Sequence, residues 1–406
     1  MGQRDDAGGR WMQGFPPPAQ RQIRFDNLAT LPYPAHRWLY SHWREVVPSA
    51  RVWRGAGGPR ALPRAERPLG DLSFDAKAGG RCTLDEALLR TATDGLLVLH
   101  DGKVLFERYL GELEPHLTHR CFSVTKSFIG LLVASACHDG VLDPDARVDA
   151  LLPDLAGSGW AGATLRHVLD MTTSLRFVED YEDPEGDVVR SRRAAGTLPR
   201  PRGYAGPASI YEYLPTLPSG GAHDRGFHYV TSNTHVLGWI LQRATGQSLA
   251  RLLSERLWQR LGAEEDGDLM LDPVGTGEVG GGLSVTLRDL ARFGEMVRNR
   301  GRVGGDQVVP EAVIDDIRRG GDREKFEHAG YDIFAGWSYR NQWWVSHDGV
   351  GAIRGLGIYG QQIYVAADAG LVVARFGSQQ IAVDDEAEAL LIAAFDALAS
   401  TLAGRR

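Results

Sequence analysis

Phe122-Ser123-Val124-Thr125-Lys126-Ser127-Phe128-Ile129-Gly130-Leu131-Leu132-Val133-Ala134-Ser135-Ala136 is apolar almost all round, apart from a serine and a lysine near its start. A helix with no polar face has no side to turn to water, so Val124 to Ala136 is read as a buried helix. It stops at His138-Asp139-Gly140, where Gly140 suits the left-handed position that follows a helix. Ser123 and Lys126 stand three apart, so at the head of this helix they share a face and can touch. Burial disfavours an ammonium, which lets a neutral Lys126 accept the Ser123 hydroxyl proton, and backbone N–H groups at the helix start favour a developing oxyanion. Serine is common, so chance alone puts one three before a lysine in roughly one such chain in four or five, and the motif needs support from elsewhere.

The first support is a compositional bias. Of 45 basic residues only Lys77, Lys103, Lys126 and Lys325 are lysine, and the rest are arginine. Lysine can lose its proton when desolvated, whereas arginine effectively cannot. A lysine kept inside an apolar segment is therefore informative.

Outward from this helix, Leu96 to Phe106 reads as two apolar runs around Asp101-Gly102, a β-hairpin. Residues 1 to about 70 mix Pro, Arg and Trp in a loop-like manner and are expected to wrap over the body without forming a core. From Leu142 to about Gly262, helical patterns such as Leu165 to Met171 and His235 to Ala244 alternate with Pro- and Gly-rich loops. A helix at Leu287 to Asn299, strands at Trp343 to Ser346, Gln362 to Ala366 and Leu371 to Phe376, and an Ala-rich helix from Asp384 complete the chain. Strands at both ends around helices predict an α/β (α+β) fold, an antiparallel sheet flanked by helices with an inserted, mostly helical subdomain. The expected division is a wrapping segment 1–70, an α/β subdomain of 71–140 with 263–406, and a helical subdomain 141–262.

The 406 residues, 43% hydrophobic and 24% charged, are those of an ordinary globular protein. A net charge of −7 leaves no positive excess for nucleic acid or an anionic bilayer, so neither is an expected partner. Met1 to Pro18 lacks the apolar core of a secretory signal, and the longest apolar run, Phe128 to Cys137, is about half the ~20 residues that span a bilayer. Cys82, Cys121 and Cys137 have neither metal nor redox spacing and read as buried, reduced packing residues. A soluble, cytoplasmic protein is expected.

A second chemical element is Phe227-His228-Tyr229-Val230-Thr231-Ser232-Asn233-Thr234-His235-Val236-Leu237-Gly238-Trp239, a Tyr and an Asn just before an apolar helix. Near a lysine the phenol can pass the serine proton to a leaving group, and the amide can hydrogen-bond both lysine and substrate. The structural alternative is an aromatic core residue with an Asn or Ser helix cap.

Together these motifs resemble the serine β-lactamase and penicillin-binding-protein-like hydrolases, over roughly residues 95 to 380. They are most similar to the 6-aminohexanoate-dimer (nylon oligomer) hydrolase branch. Phe122 to Phe128, Leu169-Asp170-Met171-Thr172-Thr173, Glu179-Asp180-Tyr181 and Tyr339-Arg340-Asn341-Gln342-Trp343-Trp344 carry that likeness. The resemblance implies that Tyr229 is the catalytic tyrosine, that Tyr181 contacts the scissile amide, and that Trp344 walls the substrate pocket. Two departures stand out. Asn233 lies four residues after Tyr229 and not two, as in the dimer-hydrolase branch, with Thr231 where serine is usual. The family's Lys-Thr-Gly strand is also absent, its place taken by His347-Asp348-Gly349 and Gly355-Leu356-Gly357-Ile358-Tyr359-Gly360-Gln361. The Ile358 N–H is the candidate second oxyanion donor beside that of Ser123, with Leu356 the alternative register. Asn233 and His347 are candidate substrate contacts, although a lone histidine beside a strand is as readily structural.

Other constellations are weaker. His116-Leu117-Thr118-His119 lacks metal spacing and reads as surface histidines, and Gly280-Gly281-Gly282 reads as a tight turn. The expected function is a serine hydrolase that cleaves small linear amides or esters through an acyl-enzyme on Ser123, without cofactor or metal. A carboxylesterase on the same machinery is the near alternative, and a catalytically silent ligand-binding relative is the alternative of another class. The expected partner is a small-molecule amide or ester, with a homodimer left open.

Overall fold

The computed structural model describes residues 11–76 and 80–403. Seven strands form one antiparallel sheet: β1 (Thr93–His100), β2 (Lys103–Tyr109), β3 (Ser338–Arg340), β4 (Trp343–Val345), β5 (Ala352–Gly357), β6 (Gln361–Ala366) and β7 (Leu371–Gly377). Their order is β3-β4-β5-β6-β7-β1-β2, so the two halves of the chain meet where β7 pairs with β1. The hairpin joining β1 to β2 turns at Asp101 and Gly102, with φ of 47° and 75°. Two successive left-handed residues match the right-handed twist of the strands they join.

Successive residues of β1 go to opposite faces of the sheet. Leu96 and Val98 pack under the helix α4 (Asp385–Ala403) and the short helix Leu84–Arg90. Leu97 and Leu99 pack under α1 (Val124–His138) and α3 (Leu287–Arg298). Both faces are covered, which is why β1 is apolar throughout instead of alternating. From Val124 to Ala134 every residue of α1 is buried, and Phe128 stacks on Phe293 of α3 at 3.7 Å between ring centres.

Residues 141–262 contain short helices and one long one, α2 (Thr231–Thr245). The Tyr339 to Trp344 phrase ties them to the sheet. Between β3 and β4, Asn341 and Gln342 adopt φ of 49° and 67°. The Gln342 amide then donates to Leu169 O (2.9 Å), accepts from Thr234 Oγ1 (2.7 Å), and its backbone carbonyl accepts from Ser127 Oγ of α1 (3.0 Å). Arg340 binds Asp170 (2.8 Å) and Asp316 (2.9 Å) beside it. Gly130 of α1 faces this turn so closely that a Cβ there would overlap the Asn341 carbonyl oxygen.

The N-terminal segment differs from expectation, because it does contribute a core. Ile23, Leu28, Leu39, Tyr40, Trp43 and Val47 form one buried cluster with Phe122, Leu198 and Met270. Its elements are 3-10 turns and a five-residue helix, Ala35–Leu39, too short to show a period in sequence. Ser49–Val52 then joins a four-stranded sheet with Gly267–Met270, Leu283–Val285 and His119–Arg120. His119 is not at the surface: it is fully buried, 3.3 Å from Asp94 Oδ2 and stacked on Phe376. No helix among the described residues is long and apolar enough to cross a membrane.

Candidate active site

His119–Arg120 delivers the chain to Ser123 from the smaller sheet, and the direction must reverse before α1 begins. Phe122 makes the reversal with φ of 44°, a left-handed conformation that costs a bulky residue on the order of 1–3 kcal/mol. Surrounding rings hold it there. Tyr40 and Tyr359 lie 4.9 and 5.3 Å from the Phe122 ring, and the Arg120 guanidinium is sandwiched between Phe122 (4.2 Å) and Trp43 (4.5 Å). The N-terminal segment thus braces the turn that presents Ser123.

Lys126 Nζ is 2.8 Å from Ser123 Oγ and donates to the Gly280 carbonyl at 2.6 Å. Burial pushes the ammonium down to about 8; Glu179 and Glu278 oppose that shift, and Arg120 assists it. A neutral amine keeps a hydrogen for Gly280 O and turns its lone pair to the serine hydroxyl, so the same contact serves proton transfer in the other direction. Tyr229 closes the triangle: it lines the cleft beside Ser123, and its ring centre lies 5.2 Å from Lys126 Nζ. Burial, reinforced by Glu179, raises this phenol well above its ordinary range, so it keeps its proton.

Trp344 stacks on Tyr229 (5.6 Å, 26° between planes), and with Tyr331, Leu356 and Ile358 it lines a cleft of about 350 Å³ open to Ser123. Gly357 is packed so tightly on the nucleophile turn that a Cβ would stand 2.8 Å from Cys121 O and 3.1 Å from Ser123 N. Ile358 follows, where β5 ends, and lines both this cleft and a smaller pocket that also borders Ser123. Tyr181 also lines both, and its hydroxyl donates to Glu179 Oε1 at 2.7 Å.

Asn233 and His347 are not brought to the cleft. The helix α2 starts at Thr231, four residues earlier than the apolar pattern suggests, so Asn233 lies in its first turn. There it is fully buried, accepting from Trp160 Nε1 (2.8 Å) and donating to Thr173 Oγ1 (2.8 Å). His347 pairs with Ser338 Oγ (2.7 Å) at the β3 edge, beside Gly320. Their hydrogen-bonding capacity is directed into the fold, which corrects the substrate-contact expectation for both.

Two carboxylates to which the sequence assigned no role complete the site. Glu179 takes hydrogen bonds from Tyr181, from the Thr231 hydroxyl and from Thr231 N (3.0 Å), so it caps α2 as well as facing the cleft. Glu278 accepts from Gly280 N (3.0 Å), Gly281 N (3.1 Å) and His235 Nε2 (2.7 Å). Burial would raise its carboxyl, but His235, Arg120 and Lys126 outweigh that and hold it below the usual range. The glycine triplet is therefore a carboxylate-bound loop that presents the Gly280 carbonyl to Lys126. An acid two residues before consecutive glycines was the available signal, since such backbone N–H groups can curl onto an anion.

A Ser-x-x-Lys pair at the head of a buried helix, with a tyrosine from a second region and a strand edge across the serine, defines a β-lactamase-type serine hydrolase. The profile of the family described as Beta-lactamase matches residues 84–397, and the chain belongs to that family. It is 35% identical over 346 residues to the 6-aminohexanoate-dimer hydrolase of Paenarthrobacter ureafaciens, covering 85% of this chain and 86% of that one. A Bacillus anthracis structure provisionally described as a 6-aminohexanoate-dimer hydrolase superimposes with a TM-score of 0.85 at 29% identity, over 91% of this chain and 95% of the other. A family VIII carboxylesterase shares the fold at a TM-score of 0.53 and 16% identity, over 77% of this chain and 96% of that one. This protein is a serine hydrolase, similar to those enzymes.

Proposed function

We propose that the protein hydrolyses small linear amides and esters through an ester on Ser123 Oγ. The observation that carries this reading is the 2.8 Å contact between Ser123 Oγ and a buried Lys126 amine. Lys126 takes the hydroxyl proton as Oγ attacks the carbonyl carbon. The carbonyl oxygen then gathers negative charge between the N–H groups of Ser123 and Ile358. Tyr229, which keeps its proton, gives it to the departing amine or alcohol and recovers one from Lys126. Water then cleaves the acyl-enzyme by the same steps reversed. Tyr181 spends its own hydrogen on Glu179, so its oxygen is left to accept the N–H of a scissile amide. Three unpaired cysteines suit a reducing cytoplasm.

A linear substrate is favoured over a β-lactam by what stands in the third motif. Arg354 is the cation of β5, but it is 1% exposed, ion-paired to Asp396 (3.1 Å) and stacked on Tyr364 (4.5 Å). It is buried against the Trp337 and Tyr364 rings and is not among the residues lining the cleft, so it is not offered to a β-lactam carboxylate. Parallel kinetics on p-nitrophenyl butyrate, the 6-aminohexanoate dimer and nitrocefin test this. Ester and linear amide should exceed nitrocefin by at least ~100-fold in kcat/KM, a transition-state difference of about 2.7 kcal/mol. Tyr181→Phe should lower amide turnover more than ester turnover. Nitrocefin as the best substrate would overturn the linear reading, and equal losses on amide and ester would remove the role given to Tyr181.

A further inference from the structure

We propose that the small pocket between Phe122 and the helix Asp187–Ala194 is an anion subsite, in which Arg120 and Arg192 bind a carboxylate at the far end of the substrate's acyl chain. The pocket, about 60 Å³, borders Ser123 and shares Ser123, Glu179, Tyr181 and Ile358 with the larger cleft. At ~10–15 Å³ for each water-sized group, that is room for a carboxylate and a short aliphatic stretch. Phe177, Val188 and Ala195 supply apolar walls for methylenes, and Ser191 and Thr197 supply hydroxyls.

Both cations here keep hydrogen-bonding capacity that no partner among the described residues fills. Arg120 is 4% exposed; its Nε donates to Gly281 O at 2.8 Å and its Nη2 is 3.9 Å from Glu278, but its buried Nη1 has no partner among the described residues. Burial lowers this guanidinium to about 10, with Arg192 adding to the fall against the opposing pull of Glu278. On the pocket's own helix, Arg190 pairs with Asp187 and Arg193 with Glu185, whereas Arg192 has no ion pair among the described residues. Glu179 and Glu278 also border the pocket, but their oxygens are engaged by Tyr181, Thr231, His235 and the Gly280 and Gly281 N–H groups. A buried donor left unpaired is unfavourable, and a carboxylate accepts from a guanidinium better than any neutral group.

Which half of the substrate enters follows from the proposed chemistry, on which this inference rests. Tyr229 lines the larger cleft and not the small pocket, so a leaving group that it protonates departs through the cleft. The acyl chain is left for the small pocket. The cleft is also lined by Asp332, Asp384 and Asp385, which repel a carboxylate placed there. The acyl half of a 6-aminohexanoate dimer ends in an ammonium, which Arg192 disfavours. Among linear substrates this chain is therefore built for monoamides or monoesters of dicarboxylic acids.

Three esters with six-carbon acyl groups separate the cases: mono-p-nitrophenyl adipate (anionic), p-nitrophenyl hexanoate (neutral) and p-nitrophenyl 6-aminohexanoate (cationic). In the parent enzyme the adipate ester should exceed the hexanoate by at least ~10-fold in kcat/KM, the scale of one charge-assisted hydrogen bond, and the aminohexanoate should rank last. The advantage should shrink as NaCl rises from about 0.02 to about 0.5 M, because the half-exposed Arg192 is screened. Arg192→Lys should keep the order and Arg192→Glu should reverse adipate and aminohexanoate, with circular dichroism verifying that both variants fold. Calorimetric binding of monomethyl adipate to Ser123→Ala protein reads the subsite without chemistry, and should be lost in the Ser123→Ala/Arg192→Glu double variant. Equal adipate and hexanoate rates, an order unchanged by Arg192→Glu, or no calorimetric binding would each overturn the subsite. Loss of turnover on all three esters with calorimetric binding intact would instead overturn the acyl-enzyme reading and leave the subsite standing.

Discussion

Ser123→Ala abolishes acylation while leaving the fold intact. The hydroxyl is the one group at the head of α1 within reach of the lysine amine (2.8 Å), and its N–H and Lys126 remain where they are when Oγ is deleted. What is lost is the covalent route itself. Removing an acylated serine costs on the order of 10⁵ to 10⁶ in kcat, about 7 to 8 kcal/mol of barrier. The volume change is one oxygen at a half-buried position, so the thermal midpoint should stay within a few degrees of the parent. Intact-mass spectrometry after exposure to an activated ester or a fluorophosphonate reads the result directly. An adduct that persists in the variant would place the nucleophile elsewhere.

Lys126→Arg tests whether the neighbouring group is a base or merely a positive charge. Arginine keeps the charge but cannot shed its proton, and its planar head does not fit the two-way contact with Ser123 Oγ and Gly280 O. General-base assistance is worth ~10²–10⁴ in rate, so the variant should retain no more than about 1% of parental turnover. The parent should also carry the signature of this base. Burial holds Lys126 at about 8, and only the unprotonated amine can accept the serine proton. Protons therefore inhibit: kcat/KM climbs about tenfold per pH unit below that value and levels off above it. Turnover by Lys126→Arg within ~10-fold of the parent, a barrier change of about 1.4 kcal/mol, would show that charge and not basicity matters. A parental profile flat from pH 6 to 9 would say the same.

The local features of this chain were legible in its sequence because each is decided within a few residues. The all-apolar stretch after Ser123 can only be a buried helix, and on any helix residues i and i+3 meet, so the Ser123–Lys126 pair needs no tertiary information. Asp101-Gly102 turns because both residues tolerate positive φ. Tyr229 could be singled out through the motif around it, although its approach to Ser123 depends on the packing of α2 against α1. Asn233 shows the limit: a helix start misplaced by four residues assigns its side chain to the wrong face.

The rest was settled by contacts between distant segments. The Gly280 carbonyl that holds Lys126 comes from 154 residues away, and it is held in turn by Glu278 and by His235, a further 43 residues apart from that carboxylate. In the linear text Glu179, Glu278 and Arg192 are ordinary charged residues among many. Only burial beside one another gives them partners, or in the case of Arg192 withholds one. The charge of a side chain is written in the sequence; the low-dielectric surroundings that turn that charge into a base, a brace or a subsite exist only once the chain has closed around it.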